Sequence, residues 1–381
     1  MDQKILPRNL EPVIEQAIVP QRVVLIFGAR RVGKTILLES VLSRMKGKVM
    51  LLNGDDEDTI RLLEERSISN YSRLLKGIDI LAIDEAQQIP DIGNKLKLIV
   101  DTFKTIKVIA TGSSSFDLLN KSGEPLVGRA HQFLLTPFSQ VELGREENLL
   151  ETRRSLPDRL IYGAYPDVVK MDSNKERQNY LEQMADAYLL KDILELDGIR
   201  NSAKLVSLIR LVAHQVGQEV SYDELGKQTG LSRNTVIRYL DLLSKVYIIY
   251  SLSGFSGNMR KEVTKSRKWY FYDNGIRNVL TGNFKPEALR SDMGALWENY
   301  MISERIKNSL NQNGLEKFYF WRTYDQQEID LIETHTDGSL RAYEFKWGQK
   351  SPRIPKGFAT SYPGASFQVV NPGNYHDFLN L

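Results

Sequence analysis

The stretch Gly28-Ala29-Arg30-Arg31-Val32-Gly33-Lys34-Thr35 has the residue types and spacing of a loop that cradles phosphate. Gly28 and Gly33 let the backbone turn so that successive N–H groups face an anion, and a helix starting there adds its positive dipole end. In that setting Lys34 reaches the β- and γ-phosphates and the Thr35 hydroxyl ligates Mg²⁺. Further along, Asp84-Glu85 closes an apolar run. Asp84 would hold the Mg²⁺ shell, and Glu85 would polarise an attacking water. Together these residues imply binding and hydrolysis of a nucleoside triphosphate, ATP with Mg²⁺.

The flanking pattern supplies the elements that must position them. An apolar run over residues 23–27 precedes the loop and a helical pattern over 36–42 follows it, which is the strand–loop–helix context the chemistry needs. Residues 48–53 read as a second buried strand, followed by the acidic Gly54-Asp55-Asp56-Glu57-Asp58, a solvated loop and helix start. Asn53, at that strand's end, could orient a catalytic carboxylate. Residues 78–83 form a third strand that delivers Asp84 and Glu85 to the C-terminal edge of a parallel sheet, where ligands bind. A fourth strand over 107–110 ends in Thr111-Gly112-Ser113, whose small hydroxyls either sense the γ-phosphate or make a plain turn. Arg129, ahead of a strand over 131–135, has two readings: an arginine finger on the nucleotide of a neighbouring copy in a homo-oligomer, or a surface cation. Residues 1–20 read as a helix before the first strand, with Pro12 near its start and Pro20 at its end. Residues 149–202 are helical in pattern and read as a lid, with Arg153, Arg154 and Arg159 as undistinguished candidates for a second sensor arginine.

Composition bounds the rest. At 381 residues, two or three domains are expected. With 41% hydrophobic and 26% charged residues, the chain has the make-up of a globular protein. It has no cysteine, which excludes disulfides, thiolate zinc sites and cysteine nucleophiles. The first residues lack the apolar core of a signal peptide, and no apolar run approaches the roughly 20 residues that span a bilayer. With nucleotide dependence, this points to the cytoplasm and away from membranes. A net charge of +3 says little about nucleic acid, so local clustering has to decide.

Taken together, Gly-x4-Gly-Lys-Thr, Ile83-Asp84-Glu85-Ala86-Gln87, Thr111-Gly112-Ser113-Ser114, Gly128-Arg129 and Thr136-Pro137-Phe138-Ser139 resemble the AAA-type ATPases of prokaryotes that carry a conserved C-terminal domain of unknown function. The resemblance covers nearly the whole chain. It implies an α/β fold class: an AAA+ parallel sheet with helical lid, then a winged helix, then a restriction-endonuclease-like domain. The expected boundaries are 1–145, 146–202, 203–280 and 281–381.

Residues 221–240 read as a helix-turn-helix on their own evidence. Ser221 and Ser232 suit N-caps, Gly230-Leu231 supplies the turn, and Leu225, Val236 and Leu240 mark the apolar faces. Strands over 246–252 and 269–272 follow, with Arg260, Lys261, Lys265, Arg267 and Lys268 between or beside them, an arrangement that resembles a winged helix with a basic wing. Arg233, Asn234, Thr235 and Arg238 would then enter a major groove and the wing cations would meet phosphates, favouring DNA over RNA. A winged helix that contacts protein partners is the alternative.

From Ser291 the pattern runs helix, three strands, short helix, strand. Thr336-Asp337-Gly338 can turn the last two of the three strands into a hairpin. Side-chain alternation puts Glu344 and Lys346 on one face, where Asp330 can meet Glu344 across the hairpin. Asp330, Glu344-x-Lys346 and the helix residue Glu298 resemble the PD-(D/E)xK nuclease family. By that resemblance Asp330 and Glu344 ligate Mg²⁺ or Mn²⁺, Lys346 orients and deprotonates water, and Glu298 supports the metal shell. The chain departs from the family in carrying Glu328 before Ile329-Asp330, where the often degenerate pattern has Pro-Asp. A cross-strand ion pair is the structural alternative for Glu344 and Lys346. The functional expectation is an ATPase acting on nucleic acid and cutting it at Asp330, Glu344 and Lys346. A nucleotide-dependent switch binding protein partners, with a vestigial nuclease-like domain, is the competing class. An ATP-gated transcription regulator is a third.

Overall fold

Val23–Phe27 (β1) is apolar throughout and wholly buried, as a strand must be when helices cover both faces of its sheet. In the computed structural model, which describes residues 6–113, 126–186, 202–256 and 267–381, β1 lies inside a five-stranded parallel sheet. Its other strands are β2 (Val49–Asn53), β3 (Ile80–Asp84), β4 (Lys107–Gly112) and β5 (Ala130–Leu134). The order is β2-β3-β4-β1-β5. β4 therefore separates the strand that feeds the glycine loop from the strand that ends in Asp84. The core packs Val23, Leu25, Leu81, Ile83 and Val108 against Leu96 and Ile99 of helix Ile92–Thr102. β2, expected as a buried strand, is the sheet's edge and only half covered, with Leu51 50% exposed. Its apolar run reflects one packed face, not two. The N-terminal helix is shorter than expected and spans Glu11–Ala17, with Pro at its first turn.

The chain divides into two compact units. The first runs through Thr136 and takes in Lys245–Tyr247 and Asn311–Asn313; the second holds Pro137–Ser244, Ile248–Leu310 and Gly314–Leu381. The second unit is built on a six-stranded mixed sheet ordered β11-β10-β9-β8-β6-β7. Its strands are β6 (Ile249–Gly254), β7 (Arg267–Phe271), β8 (Lys317–Arg322), β9 (Glu328–Thr334), β10 (Leu340–Phe345) and β11 (Ser366–Val370). β6 and β7 pair antiparallel as the expected hairpin, but β6 also pairs parallel with β8 through Ser253↔Tyr319 and Gly254↔Phe320. The hairpin is thus continuous with the C-terminal sheet rather than a free-standing wing.

The helices read as a lid, Leu149–Tyr162, Pro166–Lys170 and Asn174–Met184, fall in this second unit. Their buried face is taken by helix Asn274–Thr281. Asn278 donates to the carbonyls of Leu160 and Ile161 at 3.1 and 2.8 Å, and Asp273 accepts the Ala164 amide at 2.7 Å. Gly163, at φ +74°, sits where a side chain would collide with Asp273. Arg159 is buried against Glu147 and donates to Gln140 Oε1 at 2.6 Å.

Candidate functional site

The first site lies wholly within the first unit, at the C-terminal ends of β1, β3 and β4. Gly28 leaves β1 against the carbonyl of Leu135, where a Cβ could not fit. Gly33, at φ +95°, caps helix Lys34–Arg44, so the loop's amides and the helix N-terminus converge as an anion site requires. Lys34 is 5% exposed and its Nζ donates to the carbonyls of Gly28 and Ala29, both at 3.1 Å. The Thr35 hydroxyl donates to Asp84 Oδ2 at 2.7 Å. Thr111, fully buried on the intervening β4, donates to the other carboxylate oxygen of Asp84. The same hydroxyl accepts the Glu85 amide at 3.2 Å. A hydroxyl and a carboxylate in contact beside a phosphate loop form an all-oxygen donor pair, which fits Mg²⁺.

Glu85 occupies the left-handed region at φ +47° and ψ +42°, an unfavourable conformation for a residue with a Cβ. Two neighbours hold it there. Gln87 Nε2 donates to Glu85 Oε2 at 2.5 Å, and Gly54 packs directly on the Glu85 carbonyl with no room for a side chain. Gln87 also accepts the Ser113 amide at 3.4 Å, which ties the glutamate to the end of β4. Gln87, Gly54 and the Asp84-directed role of Thr111 were missed in the sequence. A glutamine two residues after the glutamate was the one available signal. Asn53 lies beside Asp84 in register, but its Oδ1 accepts the Asp55 amide at 3.0 Å, so its carbonyl oxygen shapes the acidic turn. Arg129 is half-exposed and pairs with Asp101 at 2.6 Å.

The second site lies wholly within the second unit. The β9–β10 hairpin forms through the turn at Gly338, φ +82°, with Tyr343↔Leu331 in register. Asp330 is 93% buried by its 7% exposure, and its Oδ2 accepts the Phe345 amide at 2.8 Å. Lys346 pairs with Glu344 Oε1 at 2.6 Å, while Glu344 Oε2 is buried without a hydrogen-bond partner among the described residues. Burial, together with the Glu298 and Glu344 charges, pushes the Asp330 carboxyl well above the ordinary carboxylate range. Burial alone would lower the Lys346 ammonium, but Asp330, Glu344 and Glu298 outweigh it and hold it above its usual value. Oxygen donors at Asp330 and Glu344 suit a hard cation. Among the described residues, however, no three His, Asp or Glu side chains converge as a metal cluster.

Glu298, expected to support a metal shell, is held by two side chains of β7: Tyr270 donates to its Oε1 at 2.7 Å, and Lys268 Nζ stands 3.8 Å from the same oxygen. Lys268 is a correction. Expected on an exposed basic wing, it is 3% exposed, ion-paired with Glu328, and 5.4 Å from the Phe320 ring centroid. Strand alternation turns Lys268 and Tyr270 inward together. Arg267 is exposed and donates to Ser251 Oγ at 3.3 Å. Arg260, Lys261 and Lys265 lie outside the described residues.

The helix-turn-helix forms as its sequence implies. Helices Tyr222–Thr229 and Arg233–Lys245 are joined through Gly230 at φ +64°. Ser221 caps the first through the Glu224 amide at 3.3 Å, and Ser232 Oγ accepts the Thr235 amide at 3.2 Å. Leu225, Val236 and Leu240 are buried, and Arg233, Asn234 and Arg238 are exposed on the second helix. Arg233 makes an exposed 3.4 Å pair with Asp223, which screening leaves weak. No helix among the described residues is long and apolar enough to cross a membrane.

Comparison with known proteins matches three stretches of the chain. A family model described as an AAA domain matches residues 20–144, and two domains of unknown function, DUF8612 and DUF4143, match 153–287 and 293–378. An uncharacterised protein of Mycobacterium tuberculosis is 28% identical over 379 residues, covering 97% of this chain and 80% of the relative. Another, of Methanocaldococcus jannaschii, is 23% identical over 363 residues, with 87% and 80% covered. The solved Walker-type ATPase of Pyrococcus abyssi superposes with a TM-score of 0.50 at 18% identity, covering 72% of this chain and 96% of that one. The glycine loop and the parallel sheet give residues 20–144, the stretch that the AAA domain model matches, a P-loop α/β fold of the AAA+ kind.

Proposed function

We propose that this protein hydrolyses ATP with Mg²⁺ at its first site and acts on nucleic acid, DNA in preference to RNA, through its second unit. The observation that carries the ATPase reading is the joined set Thr35, Asp84 and Thr111, with Glu85 held beside it by Gln87. Lys34 and the loop amides would bind the phosphates, and Thr35 and Asp84 would hold Mg²⁺, which supplies charge neutralisation at the reacting phosphate. Glu85 would orient the attacking water and take its proton, with Gln87 keeping the carboxylate directed. Ser113 would sense the γ-phosphate from the end of β4.

For nucleic acid, the supporting feature is the exposed set Arg233, Asn234 and Arg238 on the second helix of the helix-turn-helix. For cleavage it is the Asp330, Glu344 and Lys346 constellation, whose oxygen donors would hold Mg²⁺ or Mn²⁺ while Lys346 orients water. The test is a cleavage assay on linear, circular and single-stranded DNA and on RNA with Mn²⁺ or Mg²⁺, with and without ATP. Wild type is compared with Lys346→Ala and Lys34→Ala. Cutting abolished by Lys346→Ala is the expected result, and loss in Lys34→Ala as well would mean ATP-coupled cutting. No cutting by any protein, with ATP turnover intact, would overturn the nuclease reading and leave a nucleotide-dependent switch.

A further inference from the structure

From Phe345 to His376 the sequence has no Asp or Glu, yet it carries Lys346, Lys350, Arg353 and Lys356 in one short stretch. Lys346 is held by Glu344, whereas Lys350, Arg353 and Lys356 are exposed and make no ion pair with any described residue. The segment that bears them is pinned in place. Pro352, Ile354 and Pro355 are half-buried, and Ile354 packs on the core of Trp321, Ile329 and Phe358. Burying these apolar residues leaves the cations on the outer side, and the two prolines stiffen the backbone between them. At the far end Gln327 Oε1 accepts the Gly357 amide at 2.9 Å, which fastens the segment to the turn between β8 and β9. That turn is itself closed: the Thr323 amide donates to the Gln327 carbonyl at 3.0 Å and the Gln326 amide to the Thr323 carbonyl at 3.1 Å. It carries Tyr324, whose side chain is fully exposed, beside the exposed acid Asp325.

A row of unpaired cations matches a phosphate backbone, and an aromatic face held in water beside it matches a nucleobase. Inside a duplex the base faces are already stacked on one another, so only an unpaired base can use such a ring. We propose that residues 350–356 and Tyr324 form a binding strip for single-stranded nucleic acid, with Lys350, Arg353 and Lys356 on phosphates and Tyr324 stacked on an unpaired base. The strip follows directly on Lys346, so a strand lying along it leads to the cleavage site proposed above. The inference rests on that nucleic-acid reading and narrows its substrate to unpaired strands.

The experiment is fluorescence anisotropy with the full chain, without nucleotide and with a chelator to prevent cutting. The probes are a labelled mixed-sequence DNA strand, the same strand as RNA, and the blunt DNA duplex, each across a salt series. An Arg233→Ala/Arg238→Ala background removes the arginines of the helix-turn-helix, and circular dichroism checks folding. This parent should bind a single strand more tightly than the duplex. Tyr324→Ala should weaken single-strand binding roughly five- to a hundred-fold, the range for loss of one stacked base, with an unchanged salt slope, and Tyr324→Trp should retain it. Lys350→Ser/Arg353→Ser/Lys356→Ser should lower the magnitude of the log–log salt slope by roughly 2. Either kind of strand satisfies the inference, and the tighter one names the substrate. Equal affinity for strand and duplex, parent-like affinity in Tyr324→Ala, or an unchanged slope in the triple variant overturns the strip. If the chain with Arg233 and Arg238 intact binds neither strand nor duplex at low salt, the nucleic-acid reading itself fails; duplex binding by that chain with no single-strand binding by the parent sinks the strip alone.

Discussion

Thr35 and Asp84, 49 residues apart in the chain, are joined by a 2.7 Å hydrogen bond from the threonine hydroxyl to the carboxylate. The contact spans the phosphate loop and the end of β3, and the strand between them contributes Thr111 to the same carboxylate. One acid thus connects three strand ends, and any group bound there senses all three.

Glu85→Gln should bind ATP with near-normal affinity and turn it over on the order of a hundred- to ten-thousand-fold more slowly, the range for loss of a general base. Gln87→Ala should lower kcat by less, with KM little changed, because it frees the Glu85 carboxylate without removing it. Steady-state turnover and equilibrium nucleotide binding check both. Unchanged turnover in Glu85→Gln would end its assignment as the base.

Gly54→Ala should destabilise the first unit by about 1–3 kcal/mol, the usual cost of overpacking, because its methyl group would meet the Glu85 carbonyl. The displaced backbone should also slow ATP turnover. Thermal unfolding and turnover measured on the same sample test this, and a variant with wild-type values for both would exclude close packing at Gly54.

Arg233→Ala/Arg238→Ala should weaken DNA binding and reduce the magnitude of its salt dependence. If both side chains contact phosphate, the log–log slope should fall by roughly 2. Fluorescence anisotropy across a salt series reads the slope. An unchanged slope would take these arginines off phosphate.

Asp292 gives a pH-dependent prediction. Burial alone would raise its carboxyl, but hydrogen bonds and charge from Arg290 and Arg277 outweigh that and hold it below the ordinary range. A lowered folded-state value means stability that is fully present above the unfolded carboxyl range, near pH 4, and lost as pH falls through the lowered value. Asp292→Asn should therefore cost on the order of 3 kcal/mol at neutral pH, since it leaves two largely buried guanidinium groups without their carboxylate. The deficit should shrink towards low pH. Denaturant unfolding at pH 7 and pH 3 tests it, and an equal deficit at both would contradict the charge assignment.

Features set by neighbours along the chain were legible in the sequence. The phosphate loop, the Asp84-Glu85 strand end and the capped helix-turn-helix each depend on glycine, capping or apolar residues within one or two turns. The β9–β10 hairpin was legible for the same reason, since its turn and alternation fix which residues share a face. What tertiary structure decided was lateral placement. Strand order put Thr111 between the loop and Asp84, and the edge position left β2 half-exposed despite its apolar run. The pairing of β6 with β8 turned Lys268 from an expected wing cation into a buried partner of Glu328. Local periodicity reports which side of a strand is apolar. Which strand lies alongside is settled by long-range pairing, and that pairing determines which charges are left to meet.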